Sequence, residues 1–285
     1  MGHQLNDTDI GSQSIYLHSN DATITISSSE KIFYFKKNII APSGYKLLIG
    51  LTNLTMPNTM YNVTSSSNNI VINDGTTDHS FDITVGNYTA EDLATEINTA
   101  ISAYGGCNFE SDNNVFEFTL GTNTIQSTTM LRQLGLRDQL PTGNDSGSSK
   151  YTAKNVCDMG GTTNIYLRLR NLTMNNIDSR GLSSNIISSI VNPTNYGGYI
   201  FYQPPEVLYY LVAERAISHL DIEMTDQEGN LLELNGVDFN LTFTVHYSKE
   251  RESSVRDSML QEIKKQHVEK IESEKIESEK KNNNK

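Results

Sequence analysis

Histidine is the natural first candidate for chemistry, being a common metal ligand and the usual general base near neutral pH. The six histidines of this 285-residue chain are scattered, at His3, His18, His79, His219, His246 and His267. His219 and His246 fall on the polar faces of two alternating segments, but a metal site needs three or four convergent groups. Asp145-Ser146-Gly147 matches a fragment of a serine-protease nucleophile loop. It sits in TGNDSGSSK, a run of linker composition with no fixed histidine or aspartate to complete a triad. Asp226 and Glu228 stand beside Gly229 but lack the alternating oxygens and closing glutamate of a calcium loop. Neither G-x-x-x-x-G-K-S/T nor G-x-G-x-x-G occurs, so the usual phosphate cradles are missing. Cys107 and Cys157 have no metal-type spacing, and two free thiols in a reducing compartment are expected. These residues predict no catalytic group, no metal and no cofactor: a binding or structural protein, not an enzyme.

Tyrosine is plentiful, 14 residues against no tryptophan. Tyr196, Tyr199, Tyr202, Tyr209 and Tyr210 crowd into NYGGYIFYQPPEVLYYL. A tyrosine buries ring area while its hydroxyl stays available to water or a partner, which suits a subunit interface and equally the rim of a sandwich. Gly197-Gly198 and Pro204-Pro205 set sharp changes of direction there. If this stretch is a boundary, replacing Tyr202 and Tyr209 by serine should weaken assembly and leave the monomer folded.

The elements around these residues are mostly strands. Charged residues make up 20% and apolar ones 36%, so much of the polarity is uncharged Asn, Ser, Thr and Gly, a mixture poor for helices. In DFNLTFTVHYS, Phe239, Leu241, Phe243, Val245 and Tyr247 alternate with polar residues, and NIYLRLR and HLDIEM repeat the pattern. A period of two with one wet face indicates antiparallel sheet over a core. TDQEGN, after HLDIEM, reads as a hairpin loop. Earlier, SIYLHS, ATITIS, KIFYFKKNII and YKLLIGLTNLTM read as strands, the last two joined by the APSG turn. Many short strands with turns between them predict a sandwich or barrel.

The middle of the chain differs. After the polar run NVTSSSNN come IVI and FDITV strands, then TAEDLATEINTAIS, a helix capped by Thr89 with Leu93, Ile97, Ala100 and Ile101 on one stripe. FEFTL, a short helical piece near TTMLRQLGL and the flexible LPTGNDSGSSK follow. The reading is a mainly β protein: a single jelly-roll β-sandwich from residues 1–64 and 163–250, an inserted small α+β module at 65–162, and a charged tail at 251–285.

That tail contains the repeat IESEK-IESEK and is close to neutral, so the formal charge of -12 resides in the body. An acidic body repels phosphates, and nucleic acid is not an expected partner. The tail reads as solvated, partly helical or disordered, or as a docking segment that orders on a partner. Its apolar content is too small to offset ordering at ~1–2 kcal/mol per residue. A chain ending at Lys249 is therefore expected to keep its thermal midpoint within a few degrees, as scanning calorimetry would show. The opening MGHQLNDTD lacks the basic and apolar regions of a signal peptide, and no run approaches the ~18 apolar residues of a membrane span.

Taken in order, three stretches of residues 14 to 247 resemble a viral family. They are IYLHSNDATITISSSEKIFYFKKNIIAPSGYKLLIGLTNLTMPNTMYNV; FDITVGNYTAEDLATEINTAI with FEFTL and LRQLGL; and NIYLRLRNLTMNNIDS, GGYIFYQPPEVLYYL and ISHLDIEMTDQEGNLLELNGVDFNLTFTV. The family is the penton or minor capsid proteins of virophages, polinton-like viruses and related large eukaryotic double-stranded DNA viruses. The resemblance implies a jelly roll with an inserted domain and a structural role in the virion: a homopentamer at the icosahedral capsid vertex, surrounded by major capsid protein, with the insert projecting outward. Assembly would take place in the host cytoplasm or nucleus. A minor capsid protein bridging or underlying capsomers, and a fibre-like receptor- or glycan-binding sandwich, are the alternatives. The tail maps onto nothing in the family pattern.

Overall fold

The computed structural model describes residues 11–249 apart from 146–147, 173–175 and 178–182. The expectations for residues 251–285, for Ser146 and Gly147, and for His3 and His267 lie outside the described residues.

The strands in chain order are β1 (Ser12–His18), β2 (Ile24–Thr25), β3 (Glu30–Ile40), β4 (Tyr45–Pro57), β5 (Asn69–Asn73) and β6 (Asp78–Asp82). After α1 (Ala90–Ile101) come β7 (Gly106–Glu110), β8 (Val115–Thr119), β9 (Thr124–Thr128), β10 (Tyr151–Thr152) and β11 (Asn164–Leu169). The chain ends with β12 (Asn176–Ile177), β13 (Ser183–Ser184), β14 (Ile186–Val191), β15 (Tyr199–Tyr202), β16 (Tyr210–Leu211), β17 (Ala216–Thr225) and β18 (Asn240–Lys249).

Two five-stranded sheets make the sandwich. One runs β1-β18-β4-β15, with β16 also on β4; the other runs β14-β11-β17-β3-β2. The long strands pair from the outside of the chain inward, β1 with β18, β3 with β17, β4 with β15 and β11 with β14. Successive pairs fall in opposite sheets, as when one long hairpin is wrapped around a core, and this is the jelly roll. The alternation places Leu241, Phe243 and Val245 of β18 inward, and they meet Leu220, Ile222 and Met224 of β17 in one cluster. Each such side chain contributes roughly 1.5–3 kcal/mol when fully buried. At one end of the first sheet Ser12 lies opposite His246, and Tyr45 opposite Lys249; at the other, His18 lies opposite Asn240, and Asn240 opposite Thr55.

Residues between β4 and β11 build a second cluster. It contains Ile70 and Ile72 of β5, Leu93, Ile97 and Ile101 of α1, and Phe116 and Phe118 of β8. The helix starts as its sequence requires: the Thr89 hydroxyl accepts from the Asp92 amide at 3.1 Å. The sandwich cluster draws on residues up to Met60 and from Ile165 onward, the second on Val63 to Ala153. Around the joint, the Asn62 amide donates to Tyr88 O and Met159 O and accepts from Tyr88 N, and Ser65 donates to Glu233 at 2.6 Å.

Three local expectations are corrected. TDQEGN does turn, with Asp226 Oδ1 accepting from the amides of Glu228 and Asn230, but it does not join β17 to β18 as a hairpin, because those strands lie in different sheets. The piece near TTMLRQLGL is a run of turns, not a helix. Leu134 N reaches Met130 O, but Gly135 then takes φ +68, with Asn155 O 2.1 Å from where a Cβ would stand. ATITIS forms strand only at Ile24–Thr25.

Candidate subunit interface

The tyrosine-rich stretch begins in a tight turn. Gly197 N donates to Asn58 O and Asn58 N to Gly198 O, each at 2.7 Å, and Gly197 adopts φ +81. This seats β15 beside the end of β4. Alternation along β15 sends Ile200 into the core at 0% exposure and leaves Tyr199 at 71% and Phe201 at 64%. The remaining edge of β15 has no strand beside it among the described residues. An unpaired edge carrying two exposed rings is a surface fit to meet another chain.

The five tyrosines take different positions. Tyr196 is exposed and stacks on Tyr61, centroids 5.7 Å apart. The hydrogen bond to Tyr61, aided by desolvation, raises the pKa of the Tyr196 hydroxyl. Tyr202 is half-buried against the sandwich core, and its hydroxyl accepts from Ser188 Oγ at 3.1 Å, linking β15 to β14 of the facing sheet. Tyr209 is buried, with its ring edge-on to His246 at 4.4 Å. Tyr210 packs against the core from β16. Burial raises both hydroxyl pKa values.

Serine at Tyr202 and Tyr209 would therefore remove packing within the chain, so the expected neutrality of that pair toward folding is corrected. Exposed apolar area in this stretch belongs instead to Tyr199, Phe201, Leu208 and Leu211, together with Tyr196. Alternation in YIFY could have singled out Tyr199 and Phe201, since both lie opposite Ile200.

Gly50 explains why Tyr209 is covered. A Cβ there would lie 2.6 Å from Val207 Cγ1, 2.8 Å from Leu208 O and 3.0 Å from Tyr209 Cδ1. The bare backbone of β4 lets residues 207–209 lie against it. Gly50→Val is expected to cost about 1–3 kcal/mol through overpacking. At ~2–4 °C per kcal/mol the thermal midpoint falls by several degrees. An unchanged midpoint would mean that the segment is not seated on β4.

The histidines do not converge. His219 stacks on Tyr34 on one sheet, His246 meets Tyr209 on the other, and His79 sits between Asp74 and Tyr104 in the second cluster's region. The described residues contain no group of three or more His, Cys, Asp or Glu placed to hold a metal ion. Burial pushes the Cys107 thiol well up, and that of Cys157 up as well, the opposite of what a nucleophilic cysteine needs. No helix among the described residues is long and apolar enough to cross a membrane.

No family model and no curated protein matches the sequence. Among solved structures, the chain is similar to the SeMet-labelled mavirus penton protein in its crystal structure, at 11% identity and a TM-score of 0.44, covering 82% of this chain and 99% of that one. It is also similar to a chain of the Sputnik virophage in a 3.5 Å cryo-EM structure, at 13% identity and a TM-score of 0.37, covering 85% of this chain and 99% of that one.

Proposed function

We propose that this protein is a structural virion subunit, a penton-type capsid protein that closes five-fold rings with copies of itself and abuts major capsid protein at the vertex. In this reading residues 1–64 and 163–250 are the jelly-roll domain, 65–162 the inserted module, and 251–285 a tail free to engage a further capsid partner. The observation that carries it is the jelly-roll strand order interrupted between β4 and β11 by a separately cored segment. That is the organisation implied by the order of motifs along the sequence.

Physically, the sandwich already covers the inner faces of its sheets, which leaves edges and rims for contacts between copies. A five-fold ring repeats one heterologous contact around a closed axis, so the β15 edge of one copy faces a different surface of the next. Tyr199 and Phe201 supply the apolar anchor for that contact.

The test is native mass spectrometry and negative-stain imaging of the protein, alone and co-expressed with major capsid protein. Rings of five, alone or at particle vertices, are expected. Copies found between six-fold capsomers would replace the penton reading with a bridging minor capsid protein, and elongated projections would replace it with a fibre module.

A further inference from the structure

We propose that the cleft where the β4 exit meets the second cluster's region is a binding site for a neutral saccharide. The cleft has a volume of about 340 Å³, which lies at the small end of ligand pockets, ~300–1,000 Å³. Its walls come from four separate segments: Asn58–Asn62 after β4, Asn87-Tyr88 before α1, Met159–Thr162 on the return to β11, and Asn192–Tyr196 before β15.

The lining selects the ligand class. None of the lining side chains is charged, although 20% of the chain is. Amides, hydroxyls, tyrosine rings and glycine backbone make up most of the wall. The neighbouring cleft, which shares Asn62, Gly161 and Thr162 with it, is the opposite case, lined also by Arg132, Arg137, Asp226 and Glu228, with Arg132 and Glu228 3.7 Å apart. An uncharged wall gives a phosphate or carboxylate ligand no compensation for its desolvation. It suits groups that donate and accept together, as sugar hydroxyls do, while a pyranose C–H face suits a tyrosine ring.

Part of the hydrogen-bonding capacity is unspent. Asn58 is 5% exposed and its Nδ2 donates to Thr194 O at 2.8 Å, yet its Oδ1 has no partner. That oxygen is closed off from the cleft as well as unpaired, so the groups left to meet a ligand are those at the rim. Asn62 and Asn192, by contrast, are committed to the joint: Asn62 to Tyr88 and Met159, Asn192 to Thr162 and Thr194. At the rim, Asn87 and Asn195 present exposed side chains that hold no hydrogen bond among the described residues, and Tyr196 is 46% exposed. Rim amides and a half-open ring over an uncharged wall together make a site for a polyhydroxyl ring.

The inference does not rest on the capsid reading: of the exposed rings of the tyrosine-rich stretch it uses Tyr196, but not Tyr199 or Phe201 of the β15 edge. The test is saturation-transfer NMR on the full chain with galactose, glucose, mannose, N-acetylglucosamine and their disaccharides, with sialic acid as the charged comparison. At least one neutral sugar is expected to bind with a Kd of order ~1 mM, ~4 kcal/mol, typical of a single ring in a shallow site. Asn87→Ala and Tyr196→Ala are each expected to weaken it about tenfold, and Phe201→Ser to leave it unchanged. Asn87→Ala removes an exposed side chain with no bond to lose, so its thermal midpoint stays in place and a loss of binding reads on the site. Absence of any neutral-sugar signal, binding that survives Asn87→Ala and Tyr196→Ala together, or preference for sialic acid would each overturn the proposal. The cleft is then a plain seam between segments, and the capsid reading is untouched.

Discussion

Phe118→Ala is expected to unfold the region between β4 and β11 and leave the sandwich standing. Phe118 is fully buried in the second cluster, and truncating a buried phenylalanine costs about 3–5 kcal/mol. For a unit of this size that is a fall of ~15–30 °C in its own midpoint. Its cluster shares no residue with that of Phe243, so the loss has no direct apolar route into the sandwich. Amide hydrogen exchange resolves the two. Exchange in β5, β8 and α1 should accelerate by orders of magnitude, while β4, β17 and β18 keep their protection. Phe243→Ala should give the reciprocal pattern. Loss of protection in both regions from either substitution would mean one cooperative unit and end the division into a jelly roll and an inserted module.

The second large effect is on assembly. If the β15 edge is the subunit contact proposed above, Tyr199→Ser with Phe201→Ser is expected to cut incorporation into particles by at least about tenfold, because interface anchors carry ~2 kcal/mol or more each. The monomer should stay folded, since both rings are mostly in solvent and Ile200, which holds β15 to the core, is untouched. Particle sedimentation with quantitative blotting measures the first, and circular dichroism the second. Wild-type incorporation by the double variant would remove β15 from the interface. Tyr209→Ser makes the informative contrast: its ring is buried against Gly50 of β4 and His246, so it should lower stability before it affects any partner.

Strand existence was legible where apolar and polar residues alternate strictly, and not in β7 and β14, which lack that pattern. Leu241, Phe243 and Val245 alternate with polar residues, and that alternation is what a half-buried strand looks like before any partner is known. Sheet membership was not legible. β17 and β18 show the same period whether they share a sheet or face each other, and the Asp226 turn has good local hairpin chemistry in either case. Pairings such as Ser12 with His246 depend on contacts across almost the whole chain, which no local window contains. β9 (Thr124–Thr128) carries no strand pattern in its sequence, because Ile125 is its one large apolar residue. The stretch near Met130 has helical apolar spacing, but it turns at Gly135, whose backbone lies too close to Asn155 for any side chain. At the interface, composition identified the stretch but not the residues. Tyr209 is hidden because Gly50 leaves room above β4, a fact written 159 residues earlier in the chain (209 less 50).

The register of β18 gives the molecule two poles. Ser12 and Lys249 belong to one end of the first sheet, beside His246 and Tyr45, whereas β4 runs out past Thr55 at the other and hands the chain to the second cluster's region from there. A ten-residue strand at ~3.3 Å per residue separates these ends by about 30 Å. A shell built from such subunits acquires sidedness from the chain path alone. If the 65–162 segment looks out from the particle, the N- and C-terminal extensions start on the inner surface, where packaged contents or an internal scaffold lie. An epitope placed in the Asp74–Thr77 turn and another after Lys249 would then differ in their reach to antibody on intact particles, and disrupting the shell would make them equal.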